Sequence, residues 1–137
     1  MGCRMDSLVS RLSVVNIVLW VIAGVVAAGF LFSGGFKLAL PHEKYVAAQP
    51  WAEDAPRWAP RAIGVLEVLG AIGLVLPAVA GVAPALVPFA ATGLTLVMVG
   101  AIVLHLRRGE FPALMPSGVL LILAAVVAWG RFGPYAF

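Results

Sequence analysis

Four stretches of nearly unbroken apolar sequence divide the chain, at about 14–40, 61–79, 85–106 and 113–129. Each is set against the ~20 residues that a helix needs to cross the hydrocarbon core of a bilayer. The pattern predicts an all-α polytopic membrane protein, a bundle of four transmembrane helices forming a single membrane domain over residues 1–137. The first stretch is long enough to span with tilt or to project beyond the lipid. The second, from Arg61 to Pro77 and on to about Val79, carries one acid, Glu67, which lies ~9 Å along the helix from Arg61. Gly64, Gly70 and Gly73 share that helix and would let neighbouring helices approach closely. In the third stretch Gly93 and Gly100 leave a narrow small-residue strip, and Gly24 with Ala28 does the same in the first.

The polar intervals differ in kind. Residues 41–60 read PHEKYVAAQPWAEDAPRWAP, too polar to span and too broken by proline for one long helix. A surface-lying connection with a short helical turn or two is predicted there. Trp51 and Trp58, with Tyr45, stand where aromatic anchors meet a membrane interface. Gly81-Val82-Ala83-Pro84 carries no charge and is short enough to make spans two and three an antiparallel hairpin. Pro77 is read as the close of span two, and Trp129, Arg131 and Tyr135 as the exit of span four into the interface.

Composition supports the membrane reading, since 63% of residues are apolar and 11% charged, against roughly 25% charged in soluble domains. The net charge of +3 is spread over the ends of the segments, which argues for topology signals and against a nucleic-acid partner. Lys44, Arg57, Arg61, Arg107 and Arg108 outnumber Arg4, Arg11 and Arg131 on the opposite side, so the longer connections are placed in the cytoplasm. Cys3 is a single terminal thiol and cannot close an intrachain disulfide. The apolar run continues to Leu40, too long for a cleaved signal peptide, and is read as a retained span.

Alternating spans bring three polar residues toward one membrane face: Lys37 near the end of the first, Glu67 near the start of the second and His105 at the end of the third. Ser33, Gly34 and Phe30 share the face of Lys37; Gly64, Gly70, Ala71 and Leu74 that of Glu67; Ala101, Met98 and Leu94 that of His105. Glu67 is expected to pair with Lys37 or Arg61, with His105 in hydrogen-bond reach, in a pocket beneath the 41–60 connection. Ser33 and Arg61 would flank it. The structural alternatives are a Lys37 that snorkels to the headgroups and a His105 that belongs to the interface. One His, one Glu and one distant Cys make no metal ligand set at recognisable spacing.

Phe32-Ser33-Gly34-Gly35-Phe36-Lys37-Leu38, Arg61-Ala62-Ile63-Gly64-Val65-Leu66-Glu67 with Gly70-Ala71 and Gly73 to Pro77, and Met98-Val99-Gly100-Ala101 with His105 resemble, in order, the signatures of the DoxX-like membrane proteins. The resemblance implies a compact four-helix membrane bundle, usually bacterial, in the inner (cytoplasmic) membrane, with Lys37, Glu67 and His105 on its polar signature positions. The family takes its name from a small subunit of a thiosulfate:quinone oxidoreductase. Other members go with redox-stress assemblies, and a eukaryotic branch resembles an assembly chaperone for neurotransmitter-gated channels. The spans here hold no cysteine pair, which departs from what thiol oxidation by the polypeptide alone would need.

Two functions are expected on these grounds. The first is an accessory or anchor subunit of a quinone-linked membrane redox assembly, with the polar pocket binding quinone or another small amphiphile at Lys37, Glu67 and His105. The second is a non-enzymatic scaffold or assembly chaperone that packs against partner helices. The partners expected are the lipid bilayer, a membrane redox protein and a second copy of the chain, and the polypeptide is not expected to be a stand-alone enzyme.

Overall fold

A computed structural model describes residues 2–137. All regular elements among them are helical: α1 (Gly2–Ala39), α2 (His42–Ala48), α3 (Ala59–Ala80), α4 (Leu86–Arg108) and α5 (Leu114–Phe132), with 3₁₀ turns at Pro50–Glu53 and Phe111–Ala113. Four of these units, with α5 taken from Phe111, are long and apolar enough to cross a membrane. The protein is a multi-pass membrane protein, and α2 lies between its first two spans.

The four long helices form a ring in which α1 packs on α3, α3 on α4, α4 on α5 and α5 back on α1. Inside the ring lie Val26 and Phe30 of α1, Ala71 and Leu74 of α3, Val87, Ala91 and Leu94 of α4, and Ala124 and Val127 of α5. Large apolar side chains such as Leu69, Leu76, Leu96 and Ile122 point outward, as contact with acyl chains requires. Lipid tails are as apolar as leucine, so burying such groups between helices gains little, and close backbone approach must hold the ring together. The glycines supply it. A Cβ on Gly70 would meet Leu94 at 2.6 Å, one on Gly73 would meet Ala90 at 2.9 Å, and one on Gly130 would meet Leu19 at 2.7 Å. Gly24 and Gly93, read from sequence as packing positions, have no such neighbour and are exposed on the outer surface.

α1 has 38 residues. At ~1.5 Å per residue it is about 57 Å long, well beyond the ~30 Å hydrocarbon core. It starts far ahead of the apolar stretch because hydropathy marks where a helix can meet lipid, whereas its start depends on breakers, and residues 3–23 hold neither Gly nor Pro. At the other end of the second span, Pro77 does not stop α3, which runs on to Ala80. Gly81 ends it instead, at φ +69°, with the Val82 N–H donating to the Pro77 carbonyl at 3.0 Å.

Arg131 does not reach out to the interface. It is buried, donates to Asn16 Oδ1 at 2.7 Å and to the Tyr135 carbonyl at 2.9 Å, and lies 3.9 Å from the centre of the Phe137 ring. These contacts tie the last turn of α5 to α1.

Candidate ligand-binding cavity

α1 and α3 cross at two glycines. A Cβ on Gly34 would lie 2.7 Å from the Gly64 carbonyl oxygen, and one on Gly64 would lie 3.0 Å from Lys37 Cβ. Lys37 is one turn beyond Gly34 and Glu67 one turn beyond Gly64, so the crossing brings their side chains together. Lys37 Nζ donates to Glu67 Oε2 at 3.1 Å, to Oε1 at 3.3 Å and to Ser33 Oγ at 2.7 Å. Glu67 is 1% exposed. An unpaired charge so buried in a membrane span costs at least ~2.5 kcal/mol, and the contact leaves neither charge without a partner.

Past this crossing the bundle encloses a cavity of about 820 Å³. Ser33, Lys37 and Glu67 form one wall, Leu104 and His105 of α4 another, and Ser117 and Leu120 of α5 a third. Gly29 closes against Leu120, where a Cβ would find Leu120 Cδ2 at 3.2 Å. Phe32, Leu96 and Pro116 border the cavity and are exposed, so it reaches the lipid-facing surface.

The 41–60 connection forms its roof. Tyr45 and Trp51, predicted from the sequence as outward anchors, turn inward and pack with Phe36, Leu40, Ile63 and Leu104. Their rings meet edge to face at 6.0 Å, and both border the cavity. Burying a ring of on the order of 150–250 Å² at ~25 cal/mol per Å² contributes roughly 4–6 kcal/mol as an upper bound. That exceeds what any exposed ion pair in the cap supplies, and it keeps the roof closed. Burial also pushes the Tyr45 phenol up to about 12, against a smaller opposing effect of Trp51. Trp58 keeps the interfacial position, 69% exposed.

The cap is tied to α4 through charged groups. Asp54 accepts a hydrogen bond from an Arg108 guanidinium nitrogen. Arg108 Nε donates to Glu110 Oε1 at 2.7 Å, and His105 Nδ1 lies 2.7 Å from Glu110 Oε2. Bonds from Arg108 first and His105 second hold the Glu110 carboxyl below the usual carboxylate range. An ionised carboxylate only accepts, so Nδ1 carries a proton and donates it to Glu110, while Nε2 is left free of that bond.

Lys37, Glu67 and His105 therefore border one cavity, with the first two in direct contact. His105 is bonded to Glu110 and not to Glu67. Arg61 does not join them; it is exposed and borders a separate surface groove. No group of three His, Cys, Asp or Glu stands close enough to hold a metal ion among the described residues. What the cavity offers is a set of donors and acceptors at its polar end and apolar walls formed by Phe32, Leu96, Met98 and Leu120.

The DoxX-like family matches the chain over residues 21–127. The chain belongs to the DoxX-like family. No curated protein and no solved structure gives a match. In this DoxX-like protein the matched segment runs from the middle of α1 to the last turns of α5, and it contains the whole cavity, its cap and the Lys37–Glu67 pair.

Two groups of site residues escaped the sequence reading. Glu110 and Arg108 are one, because Gly109 at φ +69° reverses the chain and returns Glu110 to His105. A glycine directly after a basic last turn is the signal that could have found this. Tyr45 and Trp51 lie in elements too short for a helical period to show which side faces in.

Proposed function

We propose that this protein is an accessory or anchor subunit of a membrane redox assembly in a bacterial cytoplasmic membrane, and that its cavity holds a quinone headgroup or another small amphiphile. The carrying observation is the cavity itself: a void of ligand size, open to the lipid-facing surface, set against a buried Lys–Glu pair. A cluster closed by direct bonds with no void beside it would have favoured a purely structural role. In this reading Lys37 donates to a carbonyl or anionic oxygen of the headgroup. Glu67 and His105 Nε2 hold or relay a proton, and the apolar tail leaves past Phe32 and Leu96 toward the lipid.

A second reading is a scaffold that receives a partner helix or a second copy of the chain. The exposed Gly24 and Ala28 on the outer side of α1 favour it, because that surface would admit close helix contact.

Purification in mild detergent, followed by mass spectrometry of co-eluting lipids and proteins, separates the two. Binding in the cavity gives a retained quinone or other amphiphile that Glu67→Gln loses while still inserting in the membrane. Unchanged retention in Glu67→Gln rules the cavity out as the site. A co-eluting membrane protein with no small molecule supports the scaffold.

A further inference from the structure

A second feature lies on the same side of the membrane, outside the cavity. The starts of α2 and α3 enclose a surface groove of about 520 Å³ bordered by Pro41, His42, Glu43, Arg57, Trp58 and Arg61. Arg61 and Arg57 are both exposed, and Trp58 stands out beside them. Arg57 is paired with Glu43 at 3.1 Å, an exposed contact that holds neither side chain firmly. Arg61 has no carboxylate within ion-pair distance among the described residues. It lies in the first turn of α3, where the apolar stretch begins and the headgroup layer must be.

An arginine without an acid partner at that depth still needs acceptors for its five N–H donors, and phosphate oxygens fit its planar fork. The side of the membrane with more Lys and Arg is the cytoplasmic one, the leaflet that carries anionic lipids. Trp58 supplies a ring at the level of the glycerol backbone. Glu43 repels an anion, and its pairing with Arg57 neutralises it.

We propose that this groove binds the phosphate of an anionic phospholipid, with Arg61 as its principal donor, Arg57 and His42 as secondary donors and Trp58 against the glycerol and upper acyl chain. Lipid and free phosphate share this chemistry, and the geometry at the interface selects the lipid.

The test is native mass spectrometry of the detergent-solubilised protein titrated with dioleoyl phosphatidylglycerol and, separately, dioleoyl phosphatidylcholine. Phosphatidylglycerol should be retained in preference, and Arg61→Gln should weaken its retention roughly fivefold. Arg57→Gln should act in the same direction and less strongly. Arg11→Gln, which removes an exposed charge on the opposite side, should change nothing. Equal retention of the two lipids, or an Arg61→Gln variant indistinguishable from the Arg11→Gln control, overturns the proposal. A rise in melting temperature with inorganic phosphate equal to that with phosphatidylglycerol overturns the lipid assignment and makes the groove a site for the soluble ion. Arg61 is exposed, so its loss leaves the bundle intact, and an unchanged melting temperature in lipid-free detergent checks this.

Discussion

Gly34 and Gly64 meet where α1 crosses α3, so closely that a Cβ on Gly34 would lie 2.7 Å from the Gly64 carbonyl oxygen. The same crossing sets Lys37 Nζ 3.1 Å from Glu67 Oε2. The obstacle at Gly34 is backbone, which cannot rotate aside as a side chain can. Gly34→Ala should therefore force the helices apart and destabilise the fold by about 1–3 kcal/mol. Gly24→Ala, at a position with open space around it, should be neutral or slightly stabilising. Thermal unfolding of the two variants in one detergent compares them.

The ion pair should act as a unit. Lys37→Met alone, or Glu67→Leu alone, leaves the other charge buried and should destabilise by roughly 3–5 kcal/mol. The double variant should recover most of the loss, since an apolar pair avoids desolvation altogether. A double-mutant cycle on the melting curves measures the coupling, and additive losses would contradict it.

How much of this pair was legible beforehand follows from the topology. Lys37 and Glu67 converge because antiparallel neighbours bring the end of one span to the start of the next, and helical spacing placed Gly34 and Gly64 on the contacting faces. The inner residues Phe30, Leu74, Leu94 and Met98 were readable in the same way. Contacts without a period were not. Arg131 reaches Asn16 across 115 residues of sequence, and nothing local to either marks the other. Trp51 resembles an interface anchor by residue type and position, and only the aromatic recess between Phe36 and Leu104 turns it inward.

Cap closure should depend on the rings more than on the charges. Trp51→Ala should open the roof and raise amide hydrogen exchange across residues 45–55, with a loss on the order of 3–5 kcal/mol. Asp54→Asn removes the link to Arg108 from an exposed position and should cost at most about 1 kcal/mol. Hydrogen exchange on both variants tests the ranking.

Closure should also respond to pH at both extremes. The Tyr45 phenol is raised to about 12 by burial, so its stabilising contribution is whole below the ordinary range near 10 and is lost as pH rises toward 12. Absorbance near 295 nm should show one late-titrating tyrosine that Tyr45→Phe removes. Glu110 is shifted the other way. Its contribution is present above the usual carboxylate range of about 4.3 and is lost as pH falls through its depressed value. Glu110→Gln should abolish the acid-side change in exchange of the cap.

The most direct measurement of whether the cavity takes an amphiphile is a titration of the purified protein with a short-chain quinone, followed by tryptophan fluorescence. Trp51 borders the cavity and should be quenched saturably. Ala101→Phe, which fills the space between α4 and the ion pair, should abolish the saturable phase with the melting temperature kept. Quenching that grows linearly with added quinone, or is the same in wild type and Ala101→Phe, would contradict binding in the cavity.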